Sequence, residues 1–262
     1  MSTLRTENRD GVLLLTLNRP DVLNALDPPT GAALTEALGA AADDVAVGAV
    51  VITGAGRAFS SGGDIGFMEE VLNSGGRWED FARIVAPGRD VALAIRGSSK
   101  PVIAAVNGAA AGGGMGLALA CDVRWASEKA KFAQSFVRLG LHPDWGSLRA
   151  LVRLVGDARA MELMWTGDPV TADEALRIGV VSRVLPTDAL LEEAMAFAGR
   201  LAQGPRAAVA EIKRSVQAAA GMSLEQSLDR ELYSQERCWN TRDAREGIAA
   251  FLDKRPPKFE GR

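Results

Sequence analysis

From Pro101 to Cys121 the chain carries no charged residue at all, in the run "PVIAAVNGAAAGGGMGLALAC", and an acid, Asp122, follows it. A stretch of that length can cross a bilayer. It also holds Asn107, Gly108, Gly112, Gly113, Gly114 and Gly116, is mostly alanine, and lacks an aromatic belt. It is therefore only weakly apolar for a span. A buried strand over 101–106, a glycine turn and a buried helix explain it better. With 262 residues, 47% hydrophobic and 24% charged, the chain can bury a sizeable core without covalent staples. The question is why so much backbone freedom sits where a helix is about to start.

Nucleotide phosphates are one answer, and the pattern argues against them. Gly112 and Gly114 supply G-x-G, but the third glycine position of a dinucleotide loop falls on Leu117, and no G-x-x-x-x-G-K-[ST] occurs. Ser60 and Ser61 lie outside any G-x-S-x-G elbow, and the one histidine, His142, has no evident serine partner. One histidine with Cys121 and Cys238 far apart does not make a zinc site, so no metal is expected. A net charge of −3 gives no general pull toward nucleic acid or anionic membrane. The polar start "MSTLRTENRDG" carries no secretory pattern, and with so few cysteines a reducing, cytoplasmic setting is expected.

The remaining answer is backbone chemistry. A glycine just before a helix can bring its N–H close to a ligand, and the helix dipole reinforces the contact. A second turn echoes the first: "AVVITG" followed by "SSGGDI" parallels "PVIAAVNG" followed by "AGGGMG". Two such amides converging on one oxygen would form an oxyanion hole. Tight turns and close packing explain the same glycines equally well.

Hydrophobic patterning predicts strands over 12–17, 47–53, 101–106, 121–126, 131–133 and 180–184. It predicts helices over 31–42 with Thr30 as cap, 79–95, 147–155 and 158–165. From Asp188 onward only helical periodicity remains, over 188–203, 206–219, 223–239 and 242–253. Strands alternating with helices and then helices alone suggest an α/β core, taken as 1–195, with a helical region over 196–262. "FVRLGLHPDWGS" places Asp144 in a turn before a helix, where an aspartate commonly caps. Its neighbours His142 and Trp145 read equally as structural residues.

Taken together, "LNRPDVLNAL", "RAFSSGGDI", "KPVIAAVNGAAAGGGMGLALACD", "MELMWTGDPVTADEALRIGVVSRV" and "REGIAAFLDKRPPKF" resemble the enoyl-CoA hydratase/isomerase, or crotonase, superfamily over nearly the whole chain. The resemblance implies a spiral of β-β-α units with a C-terminal helical trimerisation region. It implies an acyl-CoA thioester as substrate, a homotrimer or dimer of trimers, and no cofactor beyond the coenzyme A of the substrate. Carried over by motif, the N–H groups of Gly63 and Gly113 hold the thioester oxygen. Asp21, Val22, Leu23, Asp64 and Ile65 lie near the coenzyme A, and Lys254 reaches toward a neighbouring subunit's.

Two departures bear on the reaction. Hydratases of this family carry glutamates where this chain has Gly116 and Phe136, so the usual acid–base pair for water addition is missing. Isomerase branches carry an aspartate in a "GLxPDxG" turn, which "GLHPDWG" resembles. The expectation is a Δ3,Δ2-type enoyl-CoA isomerase with Asp144 as proton shuttle. Phe136, Trp145 and aliphatic neighbours would raise the Asp144 pKa, with His142 near the site. Other readings are a hydratase using Asp144 with another group such as Glu69 or Glu70, an aryl-CoA dehalogenase or hydrolase with Asp144 as nucleophile, and a non-catalytic interaction protein.

Overall fold

The computed structural model describes residues 2–261. The chain opens with β1 (Leu4–Arg9) and β2 (Val12–Leu17), an antiparallel pair in register Arg9 with Val12. Asp10 and Gly11 both take positive φ, 52° and 86°, as a tight two-residue hairpin requires. Sequence patterning missed β1 because it is a polar edge strand with only Leu4 buried. Next comes α1 (Pro28–Asp43), which starts earlier than expected. Pro28 fits the first helical position, and Asp27 rather than Thr30 caps, accepting from the Thr30 N–H at 2.9 Å.

The centre of the chain repeats one plan. β3 (Ala49–Gly54) leads to a short β4 (Ala58–Ser60) and then α2 (Ile65–Asn73), followed by the long α3 (Trp78–Gly97). β5 (Val102–Val106) leads to a short β6 (Ala109–Ala111) and then α4 (Gly113–Ala120). β7 (Val123–Ser127) leads to β8 (Lys131–Ala133) and a 3-10 turn over Ser135–Leu139. After α5 (Ser147–Val155), α6 (Asp157–Thr166), β9 (Val170–Thr171) and α7 (Ala172–Arg177), β10 (Arg183–Leu185) closes the sheets. Val180 and Val181, expected in this last strand, are buried but precede it.

The long strands form a six-stranded sheet in the order β1-β2-β3-β5-β7-β10, parallel except for β1, and the short ones form a second sheet, β4-β6-β8-β9. Each pass therefore contributes one strand to each sheet before a helix, which is the expected spiral of β-β-α units. Ala58 pairs in parallel with Ala109, so the two glycine turns that follow β4 and β6 emerge side by side. The echo in the sequence is the signature of that repeat. Every residue of α4 is buried, which accounts for the charge-free stretch. No helix among the described residues is long and apolar enough to cross a membrane.

Helix α8 (Leu190–Ala202) lays Leu190, Ala194, Ala198 and Ala202 against Val12, Val51, Ile103 and Trp125 on the outer face of the large sheet. The boundary expected at 195 thus falls inside a helix that belongs to the core. The last three helices, α9 (Arg206–Ala219), α10 (Leu224–Trp239) and α11 (Arg242–Leu252), follow it. Lys213 of α9 pins them to the core, donating to the carbonyls of Ile95 and Lys100 at 2.8 Å each and pairing with Asp122 at 2.7 Å. Buried Glu211 accepts from Arg214 at 2.7 Å and from Arg230 and Arg237 at 2.9 Å each, tying α9 to α10.

Candidate active site

Gly63 and Gly113 lie on the two adjoining glycine turns. A Cβ placed on Gly62, whose φ is +97°, would stand 2.7 Å from the Ala111 carbonyl oxygen and 3.3 Å from the Gly113 nitrogen. The two turns are therefore in direct contact, and only glycine permits it. Gly112 (φ 48°, ψ −124°) turns the chain into α4, leaving Gly113 at the first helical position, where an N–H has no intrahelical acceptor. Neither the Gly63 nor the Gly113 N–H meets an acceptor among the described residues, and both glycines line one cavity. The chain thus presents two free donors, one of them reinforced by a helix dipole.

The "LNRPDVLNAL" segment holds the first of these turns. Asn24 accepts from the Arg19 N–H at 2.9 Å and donates to the carbonyls of Ala55 and Ala58 at 2.9 and 2.8 Å. Arg19 reaches Asp64 at 2.7 Å and Asp27 at 3.2 Å. Asp64 also accepts from the Phe67 N–H at 3.1 Å, capping α2. Desolvation opposes ionisation of Asp64, but its bonds to Arg19 and to backbone N–H groups outweigh it and hold its pKa low. Its carboxylate is committed to the fold, a role that sequence reading did not assign to it or to Arg19.

Asp144 does not cap α5. Trp145 and Gly146 both take left-handed φ, 53° and 76°, and Gly146 occupies the cap position without a side-chain bond. For a bulky residue such a φ is a true outlier that costs on the order of 1–3 kcal/mol. The turn leaves the Asp144 carbonyl accepting from the Ser147 N–H at 3.0 Å, while the carboxyl faces the cavity. Its Oδ1 is buried without a partner among the described residues. Burial pushes the Asp144 pKa up to about 7; its own backbone N–H and His142 pull it back only in part.

The cavity has a volume of about 720 Å³. It gathers Val22, Gly63, Asp64, Ile65, Gly113, Phe136, His142, Asp144 and Trp145. It does not include Asp21, Leu23 or Lys254, which lie outside its lining. Glu69 and Glu70 are exposed on α2 and do not line it either. Its roof is formed by Met68 of α2 and by Trp78, Phe81 and Ile84 of α3, within the segment 66–90 whose conformation the sequence did not reveal. His142 stands exposed at the rim, its Nδ1 lying 2.7 Å from the Pro143 carbonyl oxygen. Among the described residues, no group of three or more histidine, cysteine or acidic side chains is placed to hold a metal ion.

The two positions without glutamate are filled differently. Phe136 is an apolar wall of the cavity. At Gly116 there is no room: an added Cβ would stand 2.5 Å from the Trp145 Cβ and 2.8 Å from the Ser147 Oγ.

Comparison with known proteins agrees with this geometry. A family model described as enoyl-CoA hydratase/isomerase matches residues 7–262. A crotonyl-CoA hydratase of Syntrophomonas wolfei is 39% identical over 258 residues, 97% of this chain and 96% of its own. A mitochondrial enoyl-CoA hydratase of Pongo abelii is 38% identical over 94% of this chain and 83% of its own. The crystal structure of an enoyl-CoA hydratase from a Polaromonas species superposes with a TM-score of 0.93 at 36% identity, covering 98% of this chain and 99% of that one.

Proposed function

The chain belongs to the enoyl-CoA hydratase/isomerase family, and from that premise we propose that it shifts the double bond of a 3-enoyl-CoA thioester to the 2-position with Asp144 as the only base. The Asp144 carboxylate removes a proton from C2, and the electron pair delocalises through the 3,4 double bond and the thioester carbonyl. The N–H groups of Gly63 and Gly113 carry the resulting oxyanion charge. Asp144 then returns the proton at C4, leaving the double bond between C2 and C3. One carboxylate serves both steps because the proton leaves and returns on neighbouring stretches of one acyl chain.

The observation that carries this reading is a buried, unpartnered Asp144 oxygen in the same cavity as two unpartnered amides. A pKa of about 7 suits a group that must both take and give a proton near neutrality. The relatives' names favour water addition as a second reading. Against it stand the closed space at Gly116 and the aromatic ring at Phe136, which leave no carboxylate at either position to activate water, while Asp64 in the same cavity is bound to Arg19.

A homotrimer or dimer of trimers in a cytoplasmic setting is part of the proposal. Exposed Ile212, Val216, Leu232 and Phe251 on the last helices support an assembly that covers them.

The test is Asp144→Asn and Asp144→Ala, assayed on 3-enoyl-CoA and 2-enoyl-CoA. Both variants are expected to lose on the order of 10²–10⁴ of the isomerisation rate, the usual contribution of a positioned acid–base group. Isomerisation retained in both rejects Asp144 as the base. Hydration of 2-enoyl-CoA exceeding isomerisation in the wild type rejects the isomerase assignment. A covalent adduct on Asp144, seen by mass spectrometry, would assign it as a nucleophile instead.

A further inference from the structure

Trp145 is seated against glycines on two helices. On the α3 side, a Cβ at Gly88 would stand 2.5 Å from the indole Cδ1 and Nε1 and 2.6 Å from Cε2. On the α4 side, a Cβ at Gly113 would stand 3.1 Å from Cδ1 and Nε1, and one at Gly116 would stand 2.5 Å from the Trp145 Cβ. Two helices thus lack a side chain at each of these points where the residue touches them. Trp145 is only 4% exposed although its backbone adopts a strained conformation. A strained residue persists only where its surroundings over-determine it, and this seat supplies that constraint.

What the seat fixes is the residue before it. No other side chain among the described residues bonds the buried Oδ1 of Asp144, so no hydrogen bond to that oxygen fixes its direction. The Asp144 backbone is held between the Ser147 N–H and the clamped Trp145. Building on the isomerase reading, we propose that Trp145, clamped between Gly88 on α3 and Gly113 and Gly116 on α4, is the positioning residue for Asp144. Gly88 is then a second-site determinant of the reaction although it touches no reacting atom. The same seat excludes a carboxylate at residue 116. Gly116 and Trp145 are one device, committing the site to chemistry with a single base.

The Oδ1 of Asp144 is shielded from water, and in this proposal Trp145 is part of the shield. The titratable and charged groups that face Asp144 across the cavity are few. His142 lies on its own loop, Asp64 is bound to Arg19, and Arg138 is paired with Asp168 at 2.6 Å. The residues that α3 and α4 present to the cavity are apolar or glycine. Opening the seat should therefore act on Asp144 through hydration rather than through a new charge.

The experiment reads the Asp144 titration directly, by carbon NMR of aspartate-labelled protein, with Asp144→Asn identifying the resonance. Trp145→Ala, Trp145→Phe and Gly88→Ala are compared with wild type, alongside the pH profile of kcat on 3-enoyl-CoA. Trp145→Ala and Gly88→Ala are expected to lower the titration midpoint by about one pH unit or more as water reaches the carboxyl. They should lower kcat about 10- to 100-fold with KM changed less than about threefold, the signature of a misplaced base. Trp145→Phe, which still fills the seat, is expected to keep both within about half a pH unit and about threefold of wild type.

An unmoved Asp144 midpoint in folded Trp145→Ala overturns the proposal. Should that variant fail to fold, Gly88→Ala decides, because alanine is the better helix former and its one liability is the push on the indole. An unmoved midpoint there overturns the proposal equally. The titration needs no turnover. Activity surviving in Asp144→Asn would sink the isomerase reading while leaving the test of the seat intact.

Discussion

Replacing Asp144 by asparagine should make the protein more stable at neutral and alkaline pH while removing its activity. The reasoning starts from the carboxyl's environment. Burial raises its pKa from 3.8 to about 7, so the folded state resists ionisation that the unfolded chain accepts. Below about pH 4 both states hold the proton and Asp144 contributes nothing. Between about pH 4 and 7 the unfolded state binds fewer protons than the folded one, and stability falls as pH rises. Each pH unit between the two midpoints costs about 1.4 kcal/mol, so the full penalty reaches about 4 kcal/mol above pH 7. Asparagine carries no charge and does not titrate, and its unpartnered buried oxygen is matched by that of the protonated aspartate, so only the ionisation penalty separates the two. The expected gain is about 4 kcal/mol at pH 8 and close to zero at pH 4. Urea unfolding of both proteins at one fixed concentration across that range measures it. A stability difference that does not vary with pH, or a wild type more stable than the variant at pH 8, refutes the argument. Activity should run opposite to stability, with kcat rising as pH climbs through about 7.

Two further outcomes follow from the packing. Gly116→Ala should destabilise the protein by about 1–3 kcal/mol through overpacking against Trp145, read by chemical denaturation, and Gly116→Glu should fail to create 2-enoyl-CoA hydration, read by the hydratase assay. Asp122→Asn removes the anionic partner of a Lys213 side chain that is only 7% exposed and leaves it with the carbonyls of Ile95 and Lys100, so a loss of about 3–5 kcal/mol is expected, and Lys213→Met added to it should recover much of that loss in the same measurement.

The sequence made the pair of glycine turns legible because its cause is local. A strand, a turn and a glycine-opened helix occur twice in close succession, and the backbone constraint at each turn is written into residues 62–63 and 112–114. The parallel pairing of Ala58 with Ala109 only brings together what each turn already prepares. The large sheet was legible for a related reason: its inner strands are buried on both faces and read as continuous apolar runs. β1 failed that test as a polar edge. β4 and β6 failed it because each is embedded in a glycine-rich run that read as a turn.

Asp144 lies between these cases. Its motif was visible, yet the local sequence equally allowed a helix cap, the commonest use of an aspartate before a helix. The left-handed pair at Trp145 and Gly146 rules that use out, and nothing between Pro143 and Ser147 explains why a tryptophan tolerates such a backbone. The reason lies on other elements, in Gly88 of α3 and in Gly113 and Gly116 of α4. Gly88 lay unremarked inside the helix predicted over 79–95, and Gly116 read as a missing catalytic glutamate. Both are better understood as room left for one tryptophan. A glycine gives no sign in sequence of which distant side chain needs its space, so contacts between elements decide it. Where a family site lacks an acid, the residue that fills the vacated volume defines the chemistry as much as the acid that remains.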